Sequence, residues 1–412
     1  MPENGEGCRS ADLWLNPASL DMTTPLTALT RADIVVIGAG PVGATFALLA
    51  QRQGLEVALM EAREGVSRET RSLALSYGSR EILETANAWR TTLNATEIHA
   101  IHTSQQGGFG RSLISREDGG VPALGYVLTY ADLQSSLDDA LSAAAIPVMR
   151  AASVGAFEVR GDEVDIRYTQ AGAEKCCTAR VVVLADGGAN LDKLKSLVTT
   201  EKDYGQAALL GHIHADTPHR GTAYERFTPE GPAALLPHGG VDQYAMVWVA
   251  DPARIEQLKG LEEGAFLAAF QAHFGQRAGR FTRVDGRRSF PLRLRTVSPR
   301  VVGNIAVIGN AAQALHPVAG QGFNLGLRDA DVLAGMLAEL SPTGFSAALQ
   351  RYGARRGDDV ERSVGFTDFL VGAFSNDHLA TRIPRGLGLA ALDLLPFARR
   401  ALAKRMLFGA SR

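Results

Sequence analysis

Between Ala32 and Glu61 the chain carries a segment that admits very few folds. Ala32-Asp33-Ile34-Val35-Val36-Ile37 is an apolar, β-branched run of strand length, Gly38-Ala39-Gly40-Pro41-Val42-Gly43 completes Gly-x-Gly-x-x-Gly, and Ala44 to Gln53 reads as a helix. Glu56-Val57-Ala58-Leu59-Met60 is a second strand, ended by Glu61. Strands without polar alternation are buried on both faces, as in a parallel sheet covered by helices. The first two glycines allow a tight turn and close backbone approach to a pyrophosphate. The third lets helix and strand pack, and an acid about twenty residues on accepts a ribose hydroxyl. Glu61 alone reads equally as a solvated strand-end carboxylate. Strand, glycines, helix, strand and acid in that order predict a Rossmann-like dinucleotide unit.

A second motif lies in the last third of the chain. The apolar run Ile305-Ala306-Val307-Ile308 is followed by Gly309-Asn310-Ala311-Ala312-Gln313-Ala314-Leu315-His316-Pro317-Val318-Ala319-Gly320-Gln321-Gly322-Phe323-Asn324-Leu325-Gly326-Leu327-Arg328, and then by a helical pattern. A buried strand therefore ends in a glycine-rich loop that opens a helix. Gly320 and Gly322 let bare backbone approach a ring closely, and the helix N-terminus points N–H donors at it. A reduced flavin carries negative charge near N1 and C2=O, so a helix N-terminus is its electrostatic partner.

The middle of the chain has a different period. Val159, Val164, Ile166 and Tyr168 alternate with polar residues around a turn at Gly161-Asp162, with another at Ala171-Gly172. They lead into the buried strand Val181-Val182-Val183-Leu184-Ala185 and then Asp186-Gly187. Leu209–His214, Thr222–Phe227, Ala233–Leu236 and Tyr244–Val249 read as an antiparallel sheet that would cover the flavin's reactive edge and build a substrate pocket.

At 412 residues and 46% hydrophobic content the chain can fill a sizeable core, and a net charge of −2 argues against general nucleic-acid binding. Cys176 and Cys177 are neighbours on a strand and point to opposite faces, so with Cys8 they read as reduced thiols of a cytoplasmic enzyme. No metal site is expected, because no zinc-like Cys/His spacing occurs. The charge-free stretch Val301 to Leu327 holds too many amides, a histidine and Pro317 to span a membrane. Residues 1–30, mixed in Pro, Thr, Asn and Gly, read as a disordered leader, with Met22 a candidate start.

From about residue 32 onward the chain resembles the flavin-dependent aromatic hydroxylases of the para-hydroxybenzoate hydroxylase fold. Within them it is similar to the UbiH/UbiF/VisC branch that hydroxylates ubiquinone precursors. The residues that carry this are the glycine fingerprint, Asp186-Gly187, Gly309 to Asp329, Arg71-Ser72-Leu73-Ala74-Leu75-Ser76, Asp203-Tyr204-Gly205-Gln206-Ala207 and Glu225-Arg226-Phe227-Thr228-Pro229-Glu230-Gly231-Pro232. The usual Gly-Asp of the second motif is Gly309-Asn310 here, which keeps an acceptor and loses a charge. That variant resembles the UbiH type, 2-octaprenyl-6-methoxyphenol hydroxylase. Asp186-Gly187 lacks the Ala-Arg-Ser continuation common in the superfamily.

The resemblance implies an FAD-dependent monooxygenase that passes oxygen from a C4a-hydroperoxyflavin to an electron-rich ring, with O₂ as co-substrate and NAD(P)H or another donor as transient reductant. It implies that Gly38, Gly40, Gly43 and Glu61 hold the ADP half, and that Arg71 and Gln134 reach the pyrophosphate and ribitol. Asp186 and Asn310 would flank the sugar chain, and Pro317, Gly320, Gln321, Gly322, Phe323 and Asn324 would line the isoalloxazine. His316, Pro317 and Gln321 form the expected catalytic environment at the flavin edge, although His316 reads equally as a brace of the loop or a proton carrier. Tyr204, Gln206, Phe227 and Pro237 are the substrate candidates, each also readable as core. Arg287, Arg288, Arg293 and Arg295 read as a solvated basic face or a reductant contact.

The implied substrate is a polyprenylated phenol of ubiquinone biosynthesis, most simply 2-polyprenyl-6-methoxyphenol. The alternatives are a sister hydroxylase acting at another ring carbon, a hydroxylase of a soluble aromatic, or a silent flavoprotein scaffold in a biosynthetic complex. A tail rich in Arg and Leu from Arg382 onward reads either as a terminal helix packed on the body or as peripheral contact with the inner membrane. The expected architecture is α/β (α+β): a discontinuous Rossmann-like FAD-binding domain at 31–200 and 280–345, and an interleaved antiparallel-sheet substrate domain at 201–280 that draws on 95–130. A helical C-terminal region covers 346–412.

Overall fold

The computed structural model describes residues 29–67, 69–315, 320–340, 344–374 and 379–409, with backbone alone at 321, 358, 363 and 366–385. Residues 1–28 of the expected leader lie outside the described residues. The apolar run read first is the strand Arg31–Ile37, at the centre of the first sheet. It runs parallel to Ala173–Leu184 on one side, Ile34 beside Val181, and to Val57–Met60 on the other, Ile34 beside Val57. Ile34, Val35 and Val36 are fully buried, as a strand covered on both faces must be. One face takes the helix Pro41–Arg52 through Phe46, Ala47, Leu49 and Ala50, together with the helix Gln321–Glu339 through Leu327, Ala330, Leu333 and Leu337. The opposite face is covered by the hairpin strands Ser153–Arg160 and Glu163–Gln170, whose turns fall at Gly161-Asp162 and Ala171-Gly172 as the sequence suggested. Cys177 on this hairpin is a buried free thiol, whereas Cys176 is disulfide-bonded. That corrects the expectation of a reduced pair. The strand's alternation turns only Cys177 into the core.

The second sheet has eight strands in the order Gln313–Ala314, Phe281–Ser298, Val198–Ala215, Gln243–Ala250, Gly231–Pro237, Thr222–Thr228, Ala100–Gln105 and Arg111–Ser115. The hairpin at 100–115 joins it by a parallel pairing of Ala100–Gln105 with Thr222–Thr228. Phe281–Ser298, which the sequence reading gave to the FAD-binding part, pairs along nearly its whole length with Val198–Ala215. Its charged side chains alternate on an exposed face, and that period-2 pattern marks it as a strand of the antiparallel layer. Trp248, Phe266, Phe270 and Phe274 seat the helices Pro252–Lys259 and Glu263–Phe274 against the layer's outer face.

The chain closes with three helices, Phe345–Phe374, Leu379–Leu394 and Pro396–Phe408. The first of them is tied to the second sequence motif by Asp329, which is fully buried. Asp329 Oδ2 accepts from the Gly309 N–H at 3.0 Å and from Gln313 Nε2 at 2.6 Å, while Oδ1 accepts from Arg356 Nε at 2.8 Å. Arg356, 1% exposed, also bonds Asp359. Removing one partner of a buried pair strands the other, at a cost of about 3–5 kcal/mol. Asp329→Ala is therefore expected to lower the unfolding free energy by about that much, read from the urea midpoint at unchanged slope. A loss below about 1 kcal/mol would show that the carboxylate does not join these elements.

Candidate functional site

Two helix N-termini converge on one side of the first sheet, and neither is capped. Pro41–Arg52 starts after Gly40 and Gln321–Glu339 after Gly320, with no side-chain cap and no acid in either first turn. Their leading N–H groups are left for an anionic or carbonyl-bearing ligand. The helices touch where Val42 meets Gly309 and Gly326: a Cβ on either glycine would lie 3.0 Å from a Val42 methyl. Gly38 has φ +102°, and a Cβ on Gly43 would fall 2.1 Å from the Gly38 carbonyl oxygen, so both glycines are required by the turn itself. Gly40 differs. A Cβ there would meet only the Tyr130 hydroxyl, at 3.6 Å, which leaves open space above the turn.

Glu61 ends Val57–Met60 at 5% exposure beside this turn. Its Oε2 accepts from the Ala39 N–H at 2.9 Å, and Oε1 accepts from the Arg63 N–H and Nε, each at 2.9 Å. Burial pushes the Glu61 pKa up, but the hydrogen bonds from Arg63 and from the Ala39 N–H outweigh it and hold the carboxyl below its ordinary value. Gln134 lies across the turn, 2% exposed, donating from Nε2 to the Ala39 carbonyl at 3.0 Å and to Asp138 at 3.0 Å. Its Oε1 is buried without a partner. An orphaned acceptor beside an open glycine turn fits a ligand hydroxyl, such as one from a ribitol chain. Arg71 pairs with Glu69 at 3.0 Å and stacks over the Tyr130 ring at 5.1 Å.

The two loops that follow Ala173–Leu184 and Ile305–Val307, at the same end of the parallel sheet as the glycine turn, are braced by one residue that the sequence reading put on a solvated face. Arg295 Nη2 donates to the Gly187 carbonyl at 2.7 Å and to the Asn310 carbonyl at 2.8 Å. Asp186 turns into its own loop, accepting from the Gly188 N–H at 2.8 Å and from Asn190 Nδ2 at 2.6 Å. Asn324 is spent inside the protein as well. Its Oδ1 accepts from the Ser76 N–H at 2.8 Å and the Ser79 hydroxyl at 2.7 Å, and its Nδ2 donates to the Gly320 carbonyl at 2.7 Å and the Ala74 carbonyl at 3.1 Å. It staples the glycine loop to the strand Ser72–Ser76. Gly320 takes the left-handed φ of +58°, and a Cβ on Gly322 would touch only Leu315, at 3.8 Å. His316 and Pro317 lie outside the described residues, as does the side chain of Gln321.

Between the glycine loop and the antiparallel sheet lies a cavity of about 140 Å³. Its loop side is Ala74, Ser76, Gly320 and Asn324, its sheet side includes Ile101, Ile114, Ala234, Leu236, Val247 and Val249, and Ala403, Met406 and Leu407 of the last helix close one end. The lining is predominantly aliphatic, the composition of a site for an apolar ligand. Tyr204, Gln206, Phe227 and Pro237 are on or beside this sheet, yet none of them lines the cavity. Alternation places Pro237 on the face opposite Leu236, and Phe227 sits beyond Glu225 at the end of its strand. Gln206 shares the face of Ala208, with its Oε1 buried and unpartnered. Apart from Tyr224 and Glu225, the sheet-side lining residues that sequence reasoning missed are mostly ordinary alternating Ile, Leu, Val and Ala, which carry no motif.

A family model described as FAD binding domain matches residues 31–367. An uncharacterized protein of Synechocystis, slr1300, is 30% identical over 92% of this chain and 93% of its own length. The 3-demethoxyubiquinol 3-hydroxylase of Escherichia coli K12 is 28% identical over 90% of this chain and 97% of its own. Among solved structures, p-nitrophenol 4-monooxygenase of Pseudomonas putida superposes with a TM-score of 0.76 at 17% identity, covering 93% of this chain and all of that one. That likeness is one of fold.

Because the folded-state pKa of Glu61 lies below the unfolded one, its contribution is fully present above the ordinary carboxylate value of 4.5 and is lost as pH falls through the lower folded value. Glu61→Gln is expected to retain dinucleotide more weakly at neutral pH and to lose less stability on acidification than the parent. Ultrafiltration of the bound ligand and urea midpoints from pH 7 down to 3 would read both, and identical acid limbs would rule the carboxylate out.

Proposed function

Since this chain belongs to the FAD binding domain family and is an FAD-dependent monooxygenase of the aromatic hydroxylase class, we propose that it hydroxylates the ring of a polyprenylated phenol on the route to ubiquinone, most simply 2-polyprenyl-6-methoxyphenol. A sister ring carbon is the second reading, favoured by the likeness to the 3-demethoxyubiquinol 3-hydroxylase. The observation that carries the proposal is the aliphatic cavity that opens onto Gly320 and Asn324. An uncharged, greasy phenol gains from that lining, whereas a soluble aromatic acid would need a cation among its aliphatic walls.

Bound and reduced, FAD supplies an O₂-activating centre that delivers one oxygen atom to an electron-rich ring. The chain's own residues hold and shield it. Gly38 and Gly43 shape the turn and Gly40 leaves it open; Glu61 and Gln134 would present acceptors to sugar hydroxyls, and the N–H groups after Gly320 would hydrogen-bond the flavin ring. Leu75, Ile98, Leu236 and Met406 exclude water. Electrons come from NAD(P)H or another donor that visits transiently.

The tail of such a substrate sits in a bilayer, and the surface around the last two helices suits contact with one. Leu387, Leu394, Leu395 and Phe397 are exposed, Leu394 by 78% and Phe397 by 71%, and Phe109 and Leu113 of the neighbouring hairpin are exposed as well. Asp393 bonds the Leu113 N–H at 3.3 Å, and a Cβ on Gly386 would lie 2.7 Å from the Phe109 carbonyl oxygen, which puts the two sets side by side. Arg399 and Arg400 flank them. No described helix is long and apolar enough to cross a membrane. The helix Pro396–Phe408 also packs on the body through Ala403 and Leu407, so the two readings of the tail describe opposite faces of one region.

Cells lacking the gene are expected to accumulate 2-polyprenyl-6-methoxyphenol, cleared by the plasmid-borne chain and left uncleared by Gly322→Phe, which fills space the protein leaves open. Lipid mass spectrometry reads the outcome. Accumulation at another ring carbon selects the sister reading, and normal quinone overturns both. Cosedimentation with vesicles containing anionic lipid should fall several-fold for Leu394→Asp/Phe397→Asp, and equal binding would remove this face from the proposal.

A further inference from the structure

We infer that a second, polar cavity of about 300 Å³, on the far side of Ser76 and Ser79 from the aliphatic one, is a binding site for a small oxyanion of the carboxylate or phosphate class, held by Arg328. Arg328 is one helical turn beyond Asn324 on Gln321–Glu339, is 9% exposed and lines this cavity. Its guanidinium makes no hydrogen bond or ion pair among the described residues, and its Nε is buried without a partner. A guanidinium carries five N–H donors, and burying them unmet is costly.

The nearby carboxylates are engaged elsewhere. Asp329 and Asp359 bond Arg356, Glu339 faces Arg351 at 3.9 Å, and Asp331 has a partner of its own. Burial lowers the Arg328 pKa, Asp359 and Asp329 offset part of this through space against the neighbouring Arg356, and neither carboxylate hydrogen-bonds the guanidinium. None of these carboxylates bonds the Arg328 guanidinium, whose fork of donors matches the paired oxygens of a carboxylate or phosphate group. Arg355, exposed and without an ion pair among the described residues, stands at the same cavity as a second cation, and Gln53 adds a neutral donor. Leu407 and Phe408 wall one end and limit the ligand's size. Ser76 and Ser79 line this cavity and also donate to Asn324 Oδ1, so an oxyanion here touches the groups that staple the flavin loop. Coupling between the two sites is then reciprocal.

The test uses the FAD-loaded protein. Crystals soaked in selenate are expected to show an anomalous selenium peak within hydrogen-bonding distance of Arg328, and calorimetry should detect inorganic phosphate or benzoate, which separates the two ligand classes. Arg328→Met should weaken that binding about tenfold or more, and Arg355→Ala, whose side chain is exposed, several-fold. If Arg328→Met does not fold, the selenate peak and Arg355→Ala decide. Water alone at Arg328 in the soaked crystal, or equal phosphate and benzoate titrations for the parent and Arg355→Ala, would overturn the site.

Discussion

One buried carboxylate joins the parts that must agree for this protein to bind its cofactor. Asp329 accepts from the first residue of the turn after Ile305–Val307, from Gln313 in the next short strand, and from Arg356 in the helix beyond. With three charge-assisted bonds to two oxygens, all sequestered from water, it fixes the angle at which the glycine loop leaves the sheet. Asn324, a turn and a half earlier on the same helix, then fixes the loop's far end against Ser72–Ser76. The bare N-terminus between these anchors is aimed by them.

The parallel half of the fold was legible because its residues have few alternatives. A continuous β-branched run such as Ile34-Val35-Val36 is stable only when covered on both faces, and a glycine at position 43 is imposed by a carbonyl 2.1 Å from its missing Cβ. The hairpin turns at 161–162 and 171–172 were legible for the same reason, since Gly161, Ala171 and Gly172 all take positive φ. The strand Phe281–Ser298 was placed in the wrong layer. Its alternating charges mark a strand with one exposed face, and its pairing with Val198–Ala215 fixes the sheet to which it belongs.

At the site, charge and hydrogen-bond chemistry could be read where a motif names it, as for Glu61, and not where the partner is distant in sequence. Arg295 looked like one of several solvated arginines, yet it joins carbonyls 108 and 15 residues away. Asp186 and Asn324 were expected to face the cofactor, and their polar atoms are largely consumed by the loops they shape. The cavity wall was invisible for a simpler reason. Ile101, Ala234 and Val249 differ in no way from core residues until the fold shows that the space before them is empty.

Ala403, Met406 and Leu407 belong to the helix Pro396–Phe408, so one wall of the aliphatic cavity is made more than two hundred residues after the glycine turn and Gln134. The glycine turn, Glu61 and Gln134 emerge far earlier, and domains generally fold as they are made, N-terminal part first. Biosynthesis thus imposes an order in which a nucleotide can be captured while the pocket is still an open trough. A greasy molecule is enclosed only once the helix Pro396–Phe408 has been made and has docked.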